Sequence, residues 1–267
     1  MDNLRKKAKE LLESKTVDLV IGYENGTNGK ARAVFIKDPE KTGKLIYDDR
    51  CKQNLAVYLN KHEVKHYGKI AIVAPLMVMR SVLVLVSECQ LKPENIVVLG
   101  IGEDGSLLDF PSLEVVEKYI AKISLGNPEP DQVIIDKLNA MSMEQRREFW
   151  QNELERCFKC YACRAACPMC YCLRCTVECN QPQWISAPAH PLGNLEWHQL
   201  RTMHLTGRCV SCGDCGRACP LNIPIHLLTM QQAEEAFHMF GVRAGTSQKA
   251  DSALSTYKPD DKENFIL

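Results

Sequence analysis

CFKCYACRAACP (residues 157–168) and CVSCGDCGRACP (residues 209–220) are two copies of one run, C-x2-C-x2-C-x3-C-P. Three thiolates on one tight loop can take three corners of a cubane 4Fe–4S cluster. The fourth, beyond a short spacer, points away and ligates the neighbouring cluster. The two runs therefore interlock. Cluster I is expected to take Cys157, Cys160, Cys163 and Cys219, and cluster II to take Cys209, Cys212, Cys215 and Cys167. Pro168 and Pro220 close each run because proline locks φ and removes a donor, so the chain must turn there.

Disulfides and zinc are the other uses of closely spaced cysteines. Disulfides need an oxidising compartment, and the charged N-terminal stretch (Arg5, Lys6, Lys7, Lys9) has no apolar core of a signal peptide, so reduced thiols in the cytoplasm are expected. Zinc sites pair two C-x2-C knuckles, which is not this spacing. The pattern is that of bacterial two-cluster ferredoxins and predicts an α+β, ferredoxin-like domain with helical flanks over residues 141–241.

With 267 residues and 45% apolar content, the chain can build two domains. Its net charge is zero, which gives no electrostatic case for nucleic acid or an anionic membrane. The longest apolar stretch, residues 70–86, is broken by Pro75 and Arg80, so no transmembrane segment is expected. Of the 14 cysteines only Cys51 and Cys89 precede residue 157, an asymmetry that sets an N-terminal domain (1–140) apart.

In that domain, residues 3–14 read as an amphipathic helix with Leu4, Ala8, Leu11 and Leu12 on one face. Residues 17–23 and 31–36 read as a hairpin across a Gly/Asn-rich turn, and residues 51–60 as a short helix. Strand 69–74, helix 77–90 and strand 95–101 make a βαβ unit, so the domain is expected to be α/β. Gly100, Gly102 and Gly105 spell G-x-G-x-x-G, but a dinucleotide fingerprint opens a helix at once, and Glu103 and Asp104 would repel phosphates. A glycine-rich βα turn is the expectation here, with helices over 112–123 and 131–140.

The strings VDLVIGYENGTNGKARAVFI, KIAIVAPLMVMRSVLVLVSECQL and ENIVVLGIGEDG, with Asp49, Arg50, Cys51, Asn54 and Leu55, span residues 17–105. This half resembles the β-subunit family of deazaflavin-reducing hydrogenases and formate dehydrogenases. Members of that family bind FAD and exchange electrons between it and iron–sulfur clusters. The resemblance thus implies FAD as a further cofactor, or a retained scaffold that docks partners.

Ser142 and Gln145 form a capping box for a helix carrying Phe149, Trp150 and Leu154 towards Cys157, with Trp150 expected to be core filler. Between the two runs lies a cysteine-rich insert (168–182), where Cys170, Cys172, Cys175 and Cys179 are four further thiols. They are candidates for a third centre, either 4Fe–4S or zinc, or for plain buried thiols. Asn194 is expected to cap a helix ending at Gly207, with His198 and His204 as packing or hydrogen-bonding residues. Basic residues beside the ligands (Arg156, Lys159, Arg164, Arg174, Arg208 and Arg217) would offset anionic clusters. A last helix runs to Phe240 with Met230, Phe237 and Met239 as buried or interfacial groups. The tail (242–267) ends in Phe265, Ile266 and Leu267, an apolar tip suited to docking a partner.

Two functions follow. The first is an electron-transfer subunit of a cytoplasmic, anaerobic multi-subunit oxidoreductase of the hydrogenase, formate dehydrogenase or heterodisulfide-reductase-linked kind, relaying electrons to flavin- or metal-containing partner subunits. The second is an FAD-bearing subunit that exchanges hydride with a deazaflavin or nicotinamide and feeds its own clusters.

Overall fold

In a computed structural model, residues 1–249 are described apart from 176, 180, 181 and 184. The Phe265–Leu267 tip and the start of the connector at Trp184 lie outside the described residues.

The N-terminal half is α/β, built on a five-stranded mixed sheet in the order β2-β1-β3-β4-β5. Its strands are β1 (Leu19–Asn25), β2 (Ala31–Ile36), β3 (Ile70–Ala74), β4 (Ile96–Ile101) and β5 (Leu107–Asp109). The expected hairpin is present, with Val20 opposite Ile36 and Asn25 opposite Ala31. β3 lies parallel to both β1 and β4. All of β3 is buried, as its unbroken apolar run requires.

Helix α1 (Asp2–Glu13) covers one face with Leu4, Ala8, Leu11 and Leu12, as the periodicity predicts. The one-turn α2 (His62–Lys65) precedes β3, and α3 (Leu76–Ser87) makes the crossover to β4. α4 (Leu113–Ile120) closes the layer, burying Leu113, Val116 and Ile120.

Two local readings change. The glycine-rich loop is a β-hairpin turn, not a βα turn: Gly102 N–H donates to Ser106 O at 2.9 Å, and β5 folds back antiparallel on β4. Gly105 turns at φ +75°, a conformation glycine adopts without steric cost. Residues 51–60 hold only a 3₁₀ turn, Leu55–Tyr58, capped by the Asn54 side chain. Asn54 is fully buried, and its backbone N–H donates to Asp214, so a tertiary contact sets that segment.

The C-terminal half is helical around the two cysteine runs. α5 (Glu129–Ala140), α6 (Met143–Glu155) and α10 (Ile225–Phe240) share a core of Ile135, Leu138, Trp150, Leu227 and Met230, so Trp150 is packing. The Ser142/Gln145 capping box starts α6 as predicted. α7 (Ala162–Ala165) and α9 (Asp214–Arg217) are single turns inside the two runs, with α8 (Pro191–Leu205) between them in sequence. α8 starts four residues earlier than expected: His190 caps it, and Asn194 lies within it. Gly241, at φ +69°, stops α10. Met230 is buried, whereas Phe237, Met239 and Phe240 are exposed. Beyond α10, Ala244 is buried against the N-terminal core and Gln248 N–H donates to Glu117. No helix among the described residues is long and apolar enough to cross a membrane.

Candidate metal centre

The two cysteine runs fold as one structure used twice. Lys159 and Ser211 stand at matching positions with φ 54° and 61°, and Tyr161 and Gly213 match with φ 58° and 76°. Each first cysteine accepts the same bond: Lys159 N–H to Cys157 Sγ at 3.3 Å, and Ser211 N–H to Cys209 Sγ at 3.4 Å. The turns after the fourth cysteines also match, Cys170 N–H donating to Cys167 O and Asn222 N–H to Cys219 O, both at 3.1 Å. Left-handed backbone costs a non-glycine residue roughly 1–2 kcal/mol, so Lys159, Tyr161 and Ser211 carry strain whose effect is to turn backbone N–H groups onto the sulfurs.

A small enclosed cavity is lined by Cys167, Cys209, Cys212 and Cys215, with Arg201, Ser211, Thr229 and Met230. Cys167 reaches it from the first run, while the other three come from the second. Cys157, Cys163, Cys215 and Cys219 contribute to one apolar cluster with Leu154, Trp197 and Ile223. Burial, and then the adjacent charge of Cys160 and Cys219, pushes the Cys157 thiol up. Burial also pushes Cys163 and Cys215 up to about 11 and Cys212 up to about 12. Such thiols become ligands only when metal displaces the proton. Among the described residues no three His, Cys, Asp or Glu side chains converge as a single ion would require. Cys167 and the second-run thiols of Cys209, Cys212 and Cys215 line a small void of about 20 Å³ instead.

One face of α8 backs both runs. The Asn194 amide donates to Leu154 O (3.1 Å) and Cys157 O (2.7 Å). His198 Nε2 lies 3.4 Å from Cys157 Sγ. Burial, then Arg201 and Lys159, holds this imidazole down at about 3, so it is neutral at pH 7. One turn on, Arg201 Nη2 donates to Cys163 O at 3.1 Å. Two buried donors on this face, Trp197 Nε1 and Arg201 Nε, have no hydrogen-bond partner among the described residues.

The charges around the site differ from those the sequence singled out. Arg156, Arg164, Arg208 and Arg217 pair with Glu153, Glu178, Glu88 and Asp214. The buried cations that form no ion pair with a carboxylate among the described residues are Lys159, Arg80 and Arg201. Lys159 Nζ donates to Ser186 O and Pro188 O, and Arg80 donates to Val210 O and Ala244 O. Sequence reasoning missed Arg80 and Arg201. The signal for Arg80 was a lone arginine inside an apolar helix. For Arg201 it was the three-residue step from His198.

In the insert, Cys170 is half-buried, with its thiol bonded to Cys167 and Arg201. Cys175 packs against the first run, and Cys172 and Cys179 are exposed. Of the two isolated cysteines, Cys51 is buried in the N-terminal core and Cys89 is exposed.

A cavity of about 300 Å³ lies off the carboxyl ends of β3 and β4, lined by Tyr47, Lys52, Met77, Gly102, Tyr119 and Cys212 among others. It joins the sheet to the second cysteine run. Asn54 N–H bonds Asp214 at 2.6 Å, and Arg217 donates to Lys52 O at 3.0 Å, across the same junction.

No family model matches the chain. It is 35% identical over 85 residues to an F420-dependent formate dehydrogenase subunit beta of Methanocaldococcus jannaschii, covering 32% of this chain and 21% of that protein. It is 32% identical over 107 residues to an F420-dependent formate dehydrogenase 1 subunit beta of Methanococcus maripaludis, covering 40% of this chain and 27% of that protein. The matched part is therefore well under a third of either relative.

Proposed function

We propose that the chain is an electron-transfer iron–sulfur subunit of an anaerobic, cytoplasmic oxidoreductase complex, its C-terminal half being a two-cluster ferredoxin-like domain. Cluster I would be held by Cys157, Cys160, Cys163 and Cys219, and cluster II by Cys209, Cys212, Cys215 and Cys167. The observation that carries this is the void lined by Cys167 together with the first three cysteines of the other run, Cys209, Cys212 and Cys215. Cubane clusters would supply one-electron storage and transfer at low potential. The chain's residues then position thiolates, exclude water and place unpaired N–H donors and cations against negative charge. Cys170, Cys172, Cys175 and Cys179 are proposed as ligands of a third centre, 4Fe–4S ahead of zinc because its neighbours are iron–sulfur. The names of the two relatives support a complex of the formate dehydrogenase kind, ahead of a hydrogenase or heterodisulfide-reductase-linked one.

A second reading is favoured by the cavity beside Cys212. A flavin ring there would abut cluster II, and the chain would then exchange hydride with a deazaflavin or nicotinamide. Its volume is at the small end of ligand pockets, which run to about 1,000 Å³, so it suits a ring better than a whole FAD. Full-length protein purified without oxygen separates the two readings. The relay predicts broad iron–sulfur absorbance, no flavin and negligible turnover alone. Bound flavin with turnover on the order of 1 per second or faster would replace it by the flavoenzyme.

A further inference from the structure

Arg201 is 5% exposed, on the α8 face that meets both cysteine runs. One of its nitrogens donates to Cys163 O, in the first run. The same guanidinium lines the void formed by Cys167, Cys209, Cys212 and Cys215. Its Nε has no partner, and among the described residues it forms no ion pair with a carboxylate. Burial alone would push this guanidinium down, but the sulfurs of Cys170, Cys167, Cys215 and Cys163 outweigh it and hold it up. An arginine buried without a counter-ion is costly enough that it is normally paired. Among the described residues, the sulfurs acting on it are those of Cys170 in the insert and of Cys167, Cys215 and Cys163 in the two ligand sets.

We propose that Arg201 is the shared counter-ion of both clusters, raising both reduction potentials. The inference rests on the two-cluster reading above. A cubane with four thiolates is anionic when oxidised and gains one more negative charge on reduction, so a fixed cation beside it stabilises the reduced form more. Set between two such sites, the cation acts on both. An electron leaving one cluster for the other takes negative charge from one side of Arg201 and adds it to the other. The guanidinium therefore favours reduction without favouring one direction of transfer. Lysine keeps the charge but loses the fork that reaches Cys163 O and the void together.

The test is a potentiometric titration followed by EPR on full-length wild type, Arg201→Lys and Arg201→Gln, with iron counted in each. Arg201→Gln is expected to lower both midpoint potentials, with Arg201→Lys in between. Unchanged potentials in either variant with its iron retained would overturn the proposal, as would movement of one cluster alone. If Arg201→Gln fails to hold iron, the Arg201→Lys potentials decide. A wild type with fewer than two reducible clusters would instead overturn the relay reading itself.

Discussion

Arg80 ties the N-terminal sheet domain to the second cysteine run, and Arg80→Met isolates what that tie contributes. Methionine keeps an unbranched apolar stem on α3 but drops the guanidinium. Four hydrogen bonds are lost, from Nη1 to Val210 O (2.9 Å) and to Met77 Sδ (3.9 Å), and from Nε and Nη2 to Ala244 O (3.1 and 2.8 Å). Two carbonyls lose their donor, and each stranded carbonyl costs about 1–3 kcal/mol. Against this, a buried cation is relieved of a desolvation penalty of several kcal/mol. Burial already pushes Arg80 down to about 10, with the Cys209 and Cys212 sulfurs pulling the other way. Without iron the two effects nearly cancel. In the loaded protein an anionic cluster compensates the guanidinium, so removing it should cost about 2–4 kcal/mol. Because iron loss on unfolding is irreversible, the assay is the rate at which visible absorbance bleaches in fixed urea without oxygen. If the tie is absent from the unfolding transition state, that energy is an acceleration of about 30- to several-hundred-fold. A loaded variant that bleaches at the wild-type rate would refute the reasoning.

Three further outcomes follow from the same geometry. Cys167→Ser should damage the cluster held by Cys209, Cys212 and Cys215 and spare the other, as EPR of the partly loaded protein would show; loss of the first-run cluster instead would mean each run completes its own. Gly213→Ala places a side chain at φ +76° with its Cβ 2.8 Å from the flexible end of Arg217, and should cost about 1–2 kcal/mol in the same bleaching assay. Asn194→Ala strands the Cys157 carbonyl, while Leu154 O keeps the Cys157 N–H, and should cost about 1–3 kcal/mol, read as faster bleaching of the cluster on Cys157.

The α/β half was readable because its signals are local. β3 is an unbroken apolar run, α1 has a clean apolar face, and the hairpin turn is rich in Gly and Asn. Where long-range contacts decide, the sequence was silent. Residues 51–60 look helical, but Asn54 is held by Asp214 from the other half of the chain. Asn194 looks like a cap, yet its amide is spent on Leu154 and Cys157 carbonyls. The hairpin after β4 was hidden by glycines that suit a βα turn as well as a ββ one. At the site, cysteine spacing carried the ligand proposal, but charge did not follow spacing. Arginines next to ligands are mostly paired with carboxylates, whereas Arg80 and Arg201 arrive from helices remote in sequence.

Iron and acid-labile sulfide per polypeptide test the central claim most directly, measured on full-length protein produced and purified without oxygen. Two interlocked cubanes predict about eight of each, rising to about twelve if Cys170, Cys172, Cys175 and Cys179 hold a third. About four of each in intact protein, or stoichiometric zinc with no labile sulfide, would contradict it.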